Sequence, residues 1–334
     1  MMPNLTPVGG TCGVVEEEFQ AALSGTAVTD SSAFGRIEVR GKDRLDLLHR
    51  LSTNAIAGLA PGDASSTVFV TDKGRVIDRV NVCARRDSLI LITSPGRELF
   101  LIRWIDKYTL TEDIRFRIIT DETVMGSLIG ARMISSFLEA LEPRPRSSDA
   151  HDDGPGEAGF VFARRGDSSR PLADVIASQE GAHDLAALLG ALPGARWIGG
   201  RAYEGFRIAS GIPGSPGELN ESYNPLECGL RGSVSFTKGC YIGQEVIARL
   251  DTYGKIRRRL VRVACAEPWT APLPVSLTKE GAEAGALTSM AGVLSGGQVP
   301  GLAIVRSDLA NPGDRLDTGP SSPGVLVTGI ISGS

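Results

Sequence analysis

Apolar positions recur along this chain with two different periods, and together they predict strands and helices mixed without a regular βα alternation. Arg36-Ile37-Glu38-Val39 alternates polar and apolar residues, which predicts a short strand. Asp43 follows where a helix cap belongs, ahead of Leu45, Leu48 and Leu51 on one helical face. Two β-rich runs, Ser66 to Thr71 and Arg75 to Ala84, flank the turn-forming Thr71-Asp72-Lys73-Gly74 and predict a hairpin. Leu89 to Thr93 adds a strand. Ser94 and Pro95 form an N-cap and first-turn pair, so Gly96 to Tyr108 reads as a helix, followed by a strand with Ile114, Phe116 and Ile118 on one face.

Between Glu142 and Glu157 the chain turns to Pro, Arg, Ser, Asp and Gly with almost nothing apolar, which marks a loop or subdomain junction containing His151. Ala182 to Leu189, stopped by Gly190, and Arg201 to Ala209, with Ala202, Phe206 and Ala209 on one face, read as helices. From about Lys255 the chain is rich in Gly, Pro, Val and Ser, with short runs such as Leu260 to Ala264 and Leu302 to Arg306, and this predicts an all-β terminal domain. The division expected is an extension over 1–30, a region of two subdomains over 31–250 with its junction at 142–157, and a β domain over 251–334.

A chain of 334 residues is long enough for two or three packed units. Its formal net charge of −4 excludes a global basic field, so any anion site must be local. Five cysteines, at 12, 83, 228, 240 and 265, are odd in number and form no C-x-x-C pair, which argues against a disulfide framework and against a zinc ribbon. Three scattered histidines give no metal centre. No apolar run approaches the roughly 18 residues that span a bilayer. The N-terminus lacks a signal-peptide layout, and Glu16-Glu17-Glu18 disfavours a mitochondrial presequence. The expectation is a soluble cytoplasmic protein.

The stretch Lys238-Gly239-Cys240-Tyr241-Ile242-Gly243-Gln244-Glu245, with Ala248-Arg249 behind it, places a thiol between a lysine and two glycines just before a helix. Thiolate is the reactive form of cysteine, and nearby positive charge or a helix N-terminus favours it. Lys238 is thus a candidate to keep Cys240 charged, with Gln244 and Glu245 orienting it or holding a ligand. Glu245 could equally match the helix dipole, Tyr241 could stack on a flat ring or pack, and Cys240 itself could be a buried residue in a tight turn.

The same motif resembles the signature of the YgfZ family, folate-binding relatives of the glycine-cleavage T-protein that support iron–sulfur proteins. The resemblance extends to Arg207-Ile208-Ala209-Ser210-Gly211-Ile212-Pro213, to Asn224-Pro225-Leu226-Glu227-Cys228-Gly229-Leu230, to Val39-Arg40-Gly41-Lys42-Asp43 with Leu47-Leu48, and to Thr71-Asp72-Lys73-Gly74-Arg75-Val76-Ile77-Asp78. It covers roughly residues 35 to 310. It implies an α+β protein with T-protein-like folate-binding subdomains around a central channel and a C-terminal β-barrel-like domain. It implies tetrahydrofolate as cofactor, held by Glu227 on the pterin edge, by Asp78 and by Arg249. Reduced folate and iron–sulfur client proteins or assembly factors are the implied partners, with tRNA as a weaker one and no membrane. Arg79 stands where the T-protein segment carries a second acid, which weakens an aminomethyltransferase reading and leaves turnover open. Cys228 is given a structural role. The basic run Lys255-Ile256-Arg257-Arg258-Arg259-Leu260-Val261-Arg262 reads as a charged strand edge, with a folate glutamate tail or a tRNA backbone as sharper alternatives.

Overall fold

A computed structural model describes residues 5, 14–141, 160–165, 171–292, 296–319 and 324–331. Cys12 and the expected junction at 142–157, His151 included, lie outside these residues. The chain forms two compact units, one of Met1–Leu48, Ile56–Ser66 and Val80–Tyr203, the other of His49–Ala55, Thr67–Arg79 and Glu204–Ser334. Its elements begin with α1 (Val15–Leu23), β1 (Ala27–Asp30), β2 (Gly35–Arg40), α2 (Arg44–Leu51), β3 (Ala64–Val70), β4 (Val76–Ala84), β5 (Ser88–Thr93), α3 (Glu98–Asp106), β6 (Arg115–Ile118), β7 (Thr123–Ile129) and α4 (Ala131–Leu141). There follow β8 (Phe160–Arg165), β9 (Leu172–Ser178), α5 (Ala182–Gly190), β10 (Arg196–Ile198), α6 (Gly200–Ala209) and α7 (Gln244–Thr252). The chain closes with β11 (Arg258–Cys265), β12 (Val275–Lys279), β13 (Ala282–Met290), β14 (Val299–Arg306), β15 (Arg315–Leu316) and β16 (Val325–Ile330).

The first unit is built on a sheet of order β10-β1-β7-β9-β8, in which only β1 and β10 run parallel, and on the sheet β3-β4-β5-β2-β6. The tip of the β3–β4 hairpin carries the chain into the second unit. One apolar core joins Val28, Leu128 and Val175 of the first sheet to Phe137 of α4 and Leu189 of α5. Another joins Cys83, Ile90 and Ile92 of the second sheet to Met125 and Ile176 of the first. The strand over 36–39 forms as the alternation predicts, and within it Arg36 is fully buried. The 32–34 segment before β2 and the 120–123 segment leading into β7 close over its side chain. The guanidinium survives there by donating to Thr123 Oγ1 at 2.7 Å and to the carbonyls of Phe34 and Thr120 at 2.6 Å. Burial pushes its pKa down to about 10.

Local expectations shift in identifiable ways. In α2 the buried leucines are 47, 48 and 51, not 45. Asp43 stands at the start of α2, where its carbonyl accepts from the Leu47 amide at 2.9 Å, and its carboxylate also accepts from the amide of Asp113 at 2.8 Å, bracing a neighbouring loop. Helix α3 starts only at Glu98, since Gly96 sits at φ +69°, a left-handed conformation that a right-handed helix cannot include. Ile118 lies on the outer strand β6 and is 42 % exposed.

In the second unit the six-stranded sheet runs β12-β13-β14-β11-β16-β15, with every pairing antiparallel. Its two ends meet where Thr278 and Asp317 exchange amide-to-carbonyl bonds of 2.9 and 2.8 Å, so the sheet nearly closes into a barrel. The mixed α+β class and barrel-like C-terminal domain thus agree with expectation. The basic run does not form an edge: β11 is hydrogen-bonded to β14 on one side and β16 on the other. Leu260, Val261 and Val263 are buried, Arg258, Arg259 and Arg262 are half-exposed, and Arg257 is exposed.

Candidate functional site

The motif lies in the second unit and is assembled from three segments. Lys238 is the first anchor. Its ammonium donates to the carbonyls of His49, of Ser52 at 2.8 Å and of Asn54 at 2.9 Å. Carbonyls at and beyond the last turn of a helix have no partner within it, so one cation satisfies what α2 leaves open. All three ammonium donors are used in this way, and burial pushes the Lys238 pKa down to about 8. Lys238 therefore influences the thiol region by fixing the loop and through its charge; its hydrogen bonds run to main chain. The ammonium also lies 5.1 Å from the centroid of the Tyr241 ring.

The second anchor is Gly243, at the N-cap of α7 with φ +78°. A Cβ at this position would come within 2.6 Å of the Thr71 carbonyl oxygen and 3.1 Å of the Gly74 Cα. Only glycine lets α7 press onto the Thr71–Gly74 turn, which is itself closed by Gly74 donating to Thr71 and Thr71 donating to Arg75, both at 2.8 Å. Gln244 finishes the corner: its amide donates to the Tyr241 carbonyl, and its side-chain oxygen accepts from the Tyr241 amide at 3.3 Å. Tyr241 is buried, and its phenol is pushed up to about 12, so it stays protonated.

Cys240 sits between these anchors, exposed and unoxidised. Of the four cysteines among the described residues it alone is exposed; Cys83, Cys228 and Cys265 are buried. Cys228 donates its thiol to the Glu218 carbonyl at 3.1 Å, and burial pushes its pKa well up, which makes it a packing residue. Glu245 and Arg249 lie exposed on α7.

Glu227 is buried in a different corner of the same unit. Asn224 makes the turn that places it, accepting from the amides of Leu226 and Glu227 at 3.0 Å. Both carboxylate oxygens are occupied. Arg258 grips them through Nε at 3.0 Å and through its terminal nitrogen at 3.3 Å, the Asn224 amide donates at 3.1 Å, and Arg75 stands 3.6 Å away. Arg258 also covers the Tyr223 ring at 5.0 Å. Asp78, near the start of β4, is buried and accepts from the Arg79 amide at 2.9 Å. The structure thus links Lys238, Tyr241 and Gln244 within the loop that carries Cys240, and sets Glu227 among arginines.

Sequence reasoning missed two arrangements. The partnership of Arg258 and Arg75 with Glu227 had one available signal, the basic run read as an edge. The other is Arg207, nearly buried on α6, which donates to Glu204 at 2.8 Å, Ile212 O at 2.6 Å, Glu218 at 3.2 Å and Ser289 Oγ at 3.1 Å. That network supplies a structural reason for an arginine in the Arg207–Pro213 segment. Among the described residues no three His, Cys, Asp or Glu side chains converge to hold a metal ion. None of the helices there is long and apolar enough to cross a membrane.

Comparison with known proteins gives this α+β architecture its class. Residues 9–144 match the GCVT N-terminal domain. The chain is 32 % identical over 336 residues to a putative chloroplastic transferase of Arabidopsis thaliana, covering 94 % of this chain and 74 % of that protein. It is 26 % identical to the aminomethyltransferase of Geobacillus kaustophilus, covering 91 % and 85 %. The crystal structure of glycine cleavage system aminomethyltransferase T from Bartonella henselae superposes with a TM-score of 0.79 at 16 % identity, covering all of this chain and 91 % of that one. The fold is that of the glycine-cleavage T-protein. The chain belongs to the aminomethyltransferase-like T-protein family.

Proposed function

We propose that this protein is a tetrahydrofolate-binding accessory protein of the YgfZ type, acting in the cytoplasm to support assembly or repair of iron–sulfur enzymes, with Cys240 as its reacting group. The observation that carries this reading is the construction of the Cys240 loop. An exposed thiol is carried on a loop just ahead of a helix N-terminus, and the loop is held by a lysine whose hydrogen bonds are all spent on positioning and by a glycine that tolerates no side chain. Such a thiol has a use in iron or sulfur chemistry, because thiolate is a soft ligand and a good nucleophile. Transfer of a one-carbon unit between an amine and a folate has no need of one.

Toward a reduced folate the donor set fits in part. Asp78 is a buried carboxylate of the type that pairs with a pterin's donor edge. Glu227 meets a pterin only by releasing Arg258 or Arg75, since both its oxygens are engaged. Tyr241, Gln244, Glu245 and Arg249 complete the set, the last two being exposed and available to the ligand's polar end. The bound folate would supply one-carbon chemistry or a regulatory signal, and iron–sulfur proteins would be the clients.

The test is a calorimetric titration with tetrahydrofolate and 5-formyl-tetrahydrofolate on the intact chain, Asp78→Asn and Glu227→Gln, beside complementation by Cys240→Ser. Saturable binding weakened by Asp78→Asn, with complementation lost in Cys240→Ser, is the expected result. Absence of binding rejects the folate part, and full complementation by Cys240→Ser rejects the thiol. The names of the relatives favour a second reading, a folate-dependent aminomethyltransferase. Turnover of an aminomethyl donor with tetrahydrofolate as acceptor would replace the accessory reading with it.

A further inference from the structure

The strongest concentration of unabsorbed charge is a cleft of about 860 Å³ within the second unit. Lys73, Arg75, Lys255, Arg257, Arg258 and Arg306 line it. They come from three separate stretches of chain: the Thr71–Gly74 turn and its exit, the segment after α7, and the end of β14. Among the described residues the carboxylates on its walls are Glu227 and Glu283. Glu227 is shared between Arg258 and Arg75, and Arg306 has an outside partner in Asp308 at 2.6 Å. Lys73 and Arg257, whose side chains make no hydrogen bond or ion pair among the described residues, and Lys255, which lies 5.5 Å from the Tyr253 ring, retain uncompensated charge. In a chain of net charge −4 this excess is a local construction.

We propose that this cleft is an anion site for a compact oligophosphate. The cleft shares Glu227, Arg75 and Arg258 with the folate proposal, but the anion reading rests on its cations and does not require a folate to bind. Six cations around one concavity repel one another, and an anion lying between them relieves that repulsion while each field line is focused by the low-dielectric walls. Arginine forks suit phosphate because a tetrahedral group offers oxygens to two guanidiniums at once. The size is that of a small-molecule pocket, well short of a nucleic-acid duplex groove. Apolar lining comes from Val246 and Leu250 of α7 and from Ala284 and Ala286 of β13, which gives a nucleoside attached to the phosphates apolar surface to lie against. The shared chemistry is clustered phosphate; its source is either inorganic or a nucleotide.

The experiment is calorimetric titration of the full chain with inorganic tripolyphosphate, with ATP and with penta-γ-glutamate, at about 50 mM and about 200 mM salt. Each is repeated on Lys255→Glu/Arg257→Glu, whose positions are exposed and whose thermal unfolding serves as the control for folding. The proposal expects saturable tripolyphosphate binding that weakens with salt and falls by roughly tenfold or more in the double variant, as reversal of two nearby charges requires. ATP binding tighter than tripolyphosphate identifies a nucleotide as the source; equal affinities identify phosphate alone. No saturable binding of either phosphate compound, unchanged binding in a folded double variant, or tighter binding of the glutamate oligomer would each overturn it. Tetrahydrofolate binding that survives in the double variant leaves the folate proposal intact, so the two can fail separately.

Discussion

A single lysine does the work of a helix cap in this protein, and its energetics follow from where it is buried. Lys238→Met leaves the His49, Ser52 and Asn54 carbonyls without their donor. The expected cost is about 1–3 kcal/mol, the range for stranding partly buried acceptors, read as a lower urea midpoint at pH 7. The pH dependence has a definite sign. The folded-state pKa, about 8, lies below the ordinary lysine value of 10.5. Between these values the unfolded chain holds more protons, so this group adds stability as pH rises from about 8 toward 10.5. Lys238→Met should lack that rise, and urea unfolding of the two proteins across the alkaline range checks it. Cys240 belongs to the same scale: in a Cys12→Ser chain, native-state labelling with a thiol reagent should modify one residue quickly, and adding Cys240→Ser should abolish that fast phase while leaving slow reaction of the buried cysteines 83, 228 and 265.

Elements are fitted together here by glycines used for opposite reasons. Gly243 starts α7 in a left-handed conformation and lies against the Thr71–Gly74 turn, where an added Cβ meets backbone that cannot move aside. Gly239, two residues on the other side of Tyr241, has nothing within 4 Å of an added Cβ. Gly243→Ala is therefore expected to lose about 2 kcal/mol or more, from left-handed strain and the clash together, whereas Gly239→Ala should change stability by about 0.5 kcal/mol or less. Chemical denaturation of the pair distinguishes a motif built by packing from one built by loop freedom.

At the scale of the whole molecule, the second unit depends on buried charge. Arg207 on α6 reaches the 212–218 segment and β13 through Ile212, Glu218 and Ser289, and Glu218 is fully buried. Removing the guanidinium strands that carboxylate, for which about 3–5 kcal/mol is the expected loss. Arg207→Met should accordingly unfold at markedly lower urea, and the joint variant Arg207→Met/Glu218→Met should recover part of the loss, because the carboxylate that then lacks its cation, Glu204, is exposed to water and no buried charge is left unpaired. Barrel closure works at the same scale, since Thr278 and Asp317 join strands at opposite ends of the sheet order.

Much of the molecule was legible from residues alone. The 71–74 turn, the strand at 89–93, the helices at 182–189 and 201–209 and the β-rich C-terminal region follow from local periodicity and turn chemistry, because these depend on neighbours in sequence. The Cys240 motif was legible for a related reason: its glycines and lysine are close together in the chain. What the sequence could not decide were the contacts made at long separation. Whether Arg36 faces water depends on the 120–123 segment closing over it; whether the basic run forms an edge depends on β16 pairing beyond it; and whether Glu227 is available or held depends on Arg258, 31 residues away. Local pattern states what a segment can bury, and only the tertiary fold decides what arrives to cover it or to satisfy its charge.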